Sequence, residues 1–136
     1  MEYNKIYRSF TDYTNGCRDE IRSKEYTIDD AWGLNISKSD ELGISEIVKK
    51  QRLKMIDIKV DHTMRMVEQI IKVNESLGIK INLALVTKIA ILYHDIGRMR
   101  QATWSNTFGD SIYRDMNSPF NNHGEDGCDI FLNNFL

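Results

Sequence analysis

Proline, glycine and cysteine are all scarce in this sequence, which contains 1 proline, 8 glycines and 2 cysteines in 136 residues. So few turn-forming residues favour helices over a turn-rich β fold. Cys17 and Cys128 fit no metal or redox spacing, so we expect two reduced thiols. The fold class predicted from these absences is all-α.

Long apolar runs are also missing. No segment approaches the ~20 apolar residues that a membrane span needs, and no apolar run follows the first five residues as it would in a signal peptide. The net charge of -2 gives no basic footprint for nucleic acid, and the basic cluster of residues 49–54 is interpreted as a solvated helix face. We therefore expect one cytoplasmic domain that binds neither membranes nor nucleic acid.

Apolar residues recur at three- and four-residue steps, which is the spacing of an amphipathic helix. Ile6, Phe10 and Tyr13 form such a stripe and suggest one or two short helices within residues 1–32. Further stripes predict helices over 45–53, over 55–77 with Gly78 as the stop, over 82–96 between Asn82 and Gly97, and over 123–136.

Two other features of the pattern concern the last third of the chain. The polar segment 98–122 holds the single proline, Pro119, and is expected to be a long connection. The apolar side of the final helix is expected to consist of Cys128, Phe131, Leu132 and Phe135.

Only three histidines occur, and two of them lie inside apolar helical segments. His62 belongs to one predicted helix, and the adjacent pair His94-Asp95 closes the next. If these helices pack antiparallel, the start of the first meets the end of the second, which brings His62 to His94 and Asp95. Imidazole and carboxylate are suitable ligands for a divalent ion. The alternative is a buried histidine held by an ordinary hydrogen bond, with Asp95 as a charge at the helix end.

The order of these residues resembles the HD-domain superfamily of metal-dependent phosphohydrolases. The resemblance rests on Lys-Val-Asp-His-Thr at residues 59–63, His-Asp-Ile-Gly-Arg at 94–98, Thr-Phe-Gly-Asp at 107–110 and His-Gly-Glu-Asp-Gly at 123–127. It covers roughly residues 50–135. It implies a helical bundle that binds one or two divalent metals (Mn, Fe, Zn, Ni, Co or Mg) and hydrolyses a phosphoester or phosphoanhydride of a small molecule or nucleotide.

Carried onto this chain, the resemblance implies that His62, His94 and Asp95 are metal ligands. It also implies that His123 binds either a second metal or the substrate phosphate. Asp95 is also a catalytic candidate, because it would bridge two ions or orient the attacking water. Arg98, one turn beyond His94, is either a catalytic phosphate clamp or a charge that stabilises the helix end.

The sequence departs from the superfamily at its end. The family normally supplies another aspartate on a helix well beyond the His94-Asp95 pair, and only thirteen residues follow His123. Asp126 is a weak substitute. If the resemblance holds, we expect the chain to be a truncated product, a short form completed by a homo-oligomer, or a degenerate HD domain that binds a metal or nucleotide without catalysis. We divide it into a helical extension, 1–45, and a metal-site core, 46–136, with the apolar final helix favouring self-association.

Overall fold

The computed structural model describes residues 3–37, 42–77, 85–106 and 123–135. All regular structure within these ranges is helical, which confirms the all-α prediction. The elements in chain order are α1 (Tyr3–Ser23), a 3-10 helix (Ile28–Ala31), α2 (Ile44–Ser76), α3 (Leu85–Tyr93), α4 (Ile96–Ala102) and α5 (His123–Phe135). They pack around a shared apolar core. None of the helices described combines the length and apolar composition needed to cross a membrane.

Helix α1 is a single element of 21 residues, where the apolar spacing suggested one or two short helices. Its buried stripe recurs every three or four residues and consists of Ile6, Phe10, Thr14, Cys17 and Ile21. The Phe10 ring packs edge-on against Tyr93 of α3, with centroids 6.4 Å apart. Residues 3–23 therefore contribute directly to the core that also holds the ends of α3 and α4.

Helix α2 runs for 33 residues and joins the two helices predicted over 45–53 and 55–77. The prediction of two helices was wrong because no glycine or proline interrupts the backbone between them. Its buried residues are Val48, Arg52, Met55, Ile56 and Thr63. The helix ends at Ser76, and the C-cap Leu77 donates its N–H to the Val73 carbonyl at 3.1 Å. The predicted stop, Gly78, lies outside the described residues.

The predicted third helix is divided into α3 and α4 by a turn at His94 and Asp95. Gly97 does not end a helix, as predicted, but is buried in the first turn of α4. The predicted N-cap, Asn82, lies outside the described residues. Residues 98–102, assigned to a long connection by the sequence, belong to α4 instead, and residues 107–122 of that connection are not among those described.

Helix α5 begins at His123, as the sequence predicts, and crosses close to the α3–α4 turn. A Cβ at Gly127 would lie 3.2 Å from the Tyr93 carbonyl oxygen, so the absence of a side chain there permits the approach. Phe131 packs edge-on against Tyr93 at 5.2 Å. The predicted apolar side is corrected, because Cys128 and Leu132 are exposed while Ile130 and Phe131 pack on the core. The Phe135 side chain is not described.

Arg52 corrects the interpretation of residues 49–54 as a solvated face, because this side chain is only 4% exposed. Its guanidinium donates to Asn106 Oδ1 at 3.1 Å and to the Thr103 carbonyl at 3.0 Å. It also lies 4.5 Å from the centroid of the Tyr26 ring. Desolvation lowers the pKa of Arg52 from its ordinary value. The Arg52 side chain therefore links α2 to the residues that follow α4.

Candidate metal centre

His62, His94 and Asp95 come together in the structure, as the sequence predicts. One ligand atom from each residue can be chosen so that all three lie within 4.8 Å of one another. Asp95 Oδ2 is 3.2 Å from His94 Nε2 and 3.9 Å from His62 Nε2. The two imidazole centroids are 5.8 Å apart. Two nitrogen donors and a carboxylate oxygen therefore converge on one small volume.

The turn between α3 and α4 explains how adjacent residues reach the same point. On a regular helix, neighbouring side chains diverge by about 100°, which would separate His94 from Asp95. The helix is broken at these two residues, and Asp95 has the non-helical backbone of an N-cap (φ -119°, ψ 13°). No side-chain capping bond occupies its carboxylate at that helix end, which leaves the group directed to the imidazoles.

The placement of His62 differs from the prediction in one respect. It was expected near the start of a helix, but it lies in the middle of α2, because α2 begins at Ile44 rather than near residue 55. The α3–α4 turn therefore contacts the side of a long helix and not its end. His62 meets His94 and Asp95 there all the same.

The tautomer of His94 is set by its surroundings. Its Nδ1 lies 2.6 Å from the carbonyl oxygen of Ile91. Since a carbonyl only accepts, Nδ1 is the donor in this contact, and the neutral form of His94 that binds a metal would present its Nε2 lone pair to the ion. A histidine ligand in proteins is commonly oriented by this kind of second hydrogen bond.

The exposed fraction of the side chain increases from Asp95 to His94 to His62. Asp95 is 12% exposed, His94 32% and His62 44%. The cluster is therefore covered on the side of Asp95 and open to solvent on the side of His62. Two neutral imidazoles and a carboxylate are a donor set that suits zinc and related divalent transition ions, with a side left for water or substrate. The donor atoms of these residues, by their chemical type and their convergence, are suited to bind a metal ion.

Lys59 is a neighbour of the cluster that was not among the site residues predicted from the sequence. Its Nζ lies 3.6 Å from Asp95 Oδ2, and its side chain is 23% exposed. The available signal was its position three residues before His62, because residues at that spacing share a helix face. A positive charge thus stands at the edge of the cluster.

The remaining predicted site residues are not brought into the cluster by a described contact. Arg98 is half-buried in the first turn of α4, and its Nη1 donates to Gln101 Oε1 at 2.8 Å. His123 is the first residue of α5, but its side chain lies outside the described part of the structure. Asp126 is half-buried on α5.

Comparisons of the chain with protein-family models, with curated proteins and with solved structures found no match in any of the three.

Proposed function

We propose that this protein is a metal-dependent phosphohydrolase of the HD superfamily, acting on a phosphorylated small molecule or nucleotide. The observation that carries the proposal is the convergence of His62, His94 and Asp95 from two separate parts of the chain. The order of the three residues along the sequence resembles the superfamily, and their convergence is independent of that resemblance. Burial of the carboxylate and orientation of the His94 ring support a preformed ligand set.

His62, His94 and Asp95 are the residues that would hold the divalent ion. Such an ion, when bound, lowers the pKa of a coordinated water towards neutrality and offsets the charge that develops on a phosphoryl group. Asp95 also accepts hydrogen bonds, so its carboxylate can orient a water molecule at the cluster. The Ile91 carbonyl keeps the His94 ring aimed at the same point.

Lys59 supplies the positive charge that an anionic substrate requires. Its ammonium, at 3.6 Å from Asp95 Oδ2, is near enough to donate to a phosphoryl oxygen placed beside the cluster. Arg98 was the phosphate clamp expected from the sequence, but one end of its guanidinium donates to Gln101 within α4. We therefore place Lys59 ahead of Arg98 as the phosphate contact.

The test combines metal analysis with turnover. Purified protein would be analysed for its metal-to-protein ratio, and hydrolysis of p-nitrophenyl phosphate and of nucleoside mono- and triphosphates would be followed with Mn²⁺, Fe²⁺, Co²⁺, Ni²⁺, Zn²⁺ and Mg²⁺. Changing even the partners of metal ligands costs about 10–100-fold in affinity or activity. We expect His94→Ala and Asp95→Ala to lose at least that much.

Asp61→Ala is the matched control for these variants. Asp61 is an exposed neighbour of His62 on α2 and borders a different surface, with Ile58 and Glu68. Activity that survives chelation, or that Asp95→Ala retains, contradicts the proposal. Stoichiometric metal without turnover on the whole panel favours the alternative function, a non-catalytic metal- or nucleotide-binding module.

Self-association also belongs to the proposal. Leu132 on α5 is 42% exposed, and Val73 and Leu77 near the end of α2 are 55% and 61% exposed. Apolar surface of this kind is often covered by a second chain. Light scattering coupled to size exclusion would give the mass in solution, and a monomer at every concentration would contradict a homo-oligomer.

A further inference from the structure

A groove of about 550 Å³ runs along α1, outside the metal centre. Its walls are α1, Arg100 of α4 and Asn134 of α5. The volume lies within the range of about 300–1,000 Å³ that is usual for small-molecule sites. The proposed hydrolysis uses none of the side chains that line it.

The groove carries its positive charge at one end. Lys5 and Arg8 lie one helical turn apart on α1 and line the groove together. Both are exposed, and neither has an acidic side chain within ion-pair distance in the described part of the chain. Asp12, one turn further along α1, is the acidic residue closest to them in sequence that also lines the groove.

Charges at the other end are paired with each other. Arg100 Nη1 lies 2.6 Å from Glu20 Oε2, and Lys24 Nζ lies 3.1 Å from Glu20 Oε1. Glu20 is therefore held by two cations, and its negative charge is compensated locally. Among the described residues, Lys5 and Arg8 are the groove cations that form no ion pair, and they favour an anionic ligand whose charge lies at that end.

The middle of the groove is open, and its thiol and phenol groups are not ionised at neutral pH. A Cβ placed on Gly16 would meet no atom within 4 Å, so space remains above the helix at this point. Burial raises the pKa of the Cys17 thiol to about 11, and burial also raises the pKa of the Tyr13 phenol above its ordinary value. Both groups keep their protons at neutral pH. The groove offers hydrogen-bond donors for binding and no thiolate for nucleophilic attack.

The groove and the metal cluster face different helices. Tyr93, at the end of α3, turns towards α1 and donates its hydroxyl to Ser9 Oγ at 2.8 Å, and Ser9 lines the groove. His94 and Asp95, the next two residues, face His62 of α2. A ligand in the groove would therefore not touch the three metal-binding side chains.

We propose that the α1 groove is a second binding site, which takes a phosphorylated small molecule of about nucleotide size with its phosphate at Lys5 and Arg8. Arginine and lysine form charge-assisted hydrogen bonds to phosphate oxygens. Tyr13 and Asn134 line the remainder of the groove and provide polar contacts for the rest of the ligand. The site stands apart from the proposed hydrolysis and does not depend on it.

The test is calorimetric titration of the full chain with ADP and with inorganic pyrophosphate in the presence of EDTA. Chelation removes metal-mediated phosphate binding, and charge reversal at Lys5 and Arg8 changes the groove alone, so this pair of conditions separates the outcome from the hydrolase proposal. The double variant Lys5→Glu/Arg8→Glu should weaken ADP binding at least tenfold. Gly16→Leu should also weaken ADP binding, because the leucine side chain fills the groove without changing its charge. This variant is expected to fold because leucine favours a helix more than glycine does.

The matched control is Lys50→Glu/Lys54→Glu, two exposed lysines on α2 that line a different groove and also have no ion pair among the described residues. This control and His94→Ala should bind ADP as the unmodified chain does. The proposal is overturned if neither ADP nor pyrophosphate binds. Equal weakening by the control charge reversal, or loss of binding in His94→Ala, overturns it as well.

Discussion

The ammonium of Lys59 and the carboxylate of Asp95 face each other at 3.6 Å between Nζ and Oδ2. The same carboxylate oxygen lies 3.2 Å from His94 Nε2. Asp95 therefore lies close both to a cation of the chain and to a ring nitrogen of His94. The positive charge of Lys59 therefore weakens the binding of a divalent ion at this cluster. The same charge strengthens the binding of an anionic substrate.

Replacing Lys59 should consequently move metal binding and substrate binding in opposite directions. Partly exposed ion pairs contribute about 0.2–1 kcal/mol, so Lys59→Met should tighten Mn²⁺ binding by up to about fivefold. A hydrogen bond to a charged partner is worth about 1.5–3 kcal/mol, so kcat/KM for a phosphate substrate should fall by about tenfold or more at saturating metal.

Calorimetry with Mn²⁺ and steady-state kinetics would measure the two effects separately. Lys54→Met is the control, since Lys54 is exposed on the same helix and lies away from the cluster. Weaker metal binding in Lys59→Met would show that this lysine supports the ligands instead of competing with the ion.

Bound metal should stabilise the whole bundle, because the cluster joins α2 to the α3–α4 turn. A ligand that binds only the folded chain, at 100 times its Kd, adds about 2.7 kcal/mol to the free energy of unfolding. For a domain of this size that corresponds to a rise of roughly 10 °C in Tm. Thermal denaturation with and without Mn²⁺ would measure it.

His62→Ala and Asp95→Asn should each abolish most of this rise, while Asp61→Asn should retain it. An undiminished rise in Asp95→Asn would place the stabilising ion elsewhere on the protein.

Arg52→Met should destabilise the fold without changing the metal cluster. The substitution leaves the Thr103 carbonyl and Asn106 Oδ1 without their donor in a buried region. Hydrogen bonds from a charged group are the stronger kind, and relief of charge burial offsets part of the loss. We expect the free energy of unfolding in urea to fall by about 2–3 kcal/mol.

Lys50→Met provides the comparison for Arg52→Met, because Lys50 is exposed two residues earlier on α2 and should change stability by no more than about 0.5 kcal/mol. Similar losses in the two variants would mean that the buried network contributes little.

Glu20 should make stability depend on pH in the acid range. Desolvation acts to raise the pKa of Glu20, but the hydrogen bond from Lys24 and the charge of Arg100 outweigh it, so the pKa lies below its ordinary value of 4.5. A carboxyl group with a lowered pKa in the folded state stabilises the protein above its unfolded pKa. That contribution is lost as pH falls through the folded pKa.

Glu20→Gln should therefore be less stable than the unmodified chain at pH 7, by less than about 1 kcal/mol, and the difference should close as pH falls below 4.5. Urea titrations at several pH values would measure this, with the exposed Glu68→Gln as control. A difference that stays constant down to pH 2 would show that charge is not its source.

The sequence was sufficient for the fold class and for the grouping of His62 with His94 and Asp95. The fold class follows from periodicity, which is a local property. The grouping was argued from antiparallel packing of two helices with meeting ends, and the structure reaches it with His62 in the middle of a longer α2. The position of the helix break was not predictable in the same way. Gly97 looked like a terminator, but α5 crosses the turn at Gly127 and α4 continues through Gly97, so tertiary packing decided the boundary.

Arg52 and Lys59 show the second limit. In the sequence, both are cations on an amphipathic helix, and either could have pointed to solvent. Arg52 is buried because Thr103 and Asn106, about 50 residues later, provide acceptors for it. Lys59 acquires its importance from Asp95, which no local pattern connects to it. Long-range partners of this kind cannot be read from spacing alone.

Helix α2 is packed along its first part and solvated along its last. Its fully buried residues end at Thr63, and every side chain from Met64 to Leu77 is at least partly exposed. Opening the last turns therefore uncovers little apolar surface. Amide protons of the stretch between Val48 and Thr63 should exchange with solvent through global unfolding, whereas those near Ser76 should exchange through local fraying. His62 directly precedes Thr63, so the metal centre lies at the end of the slowly exchanging part of the helix.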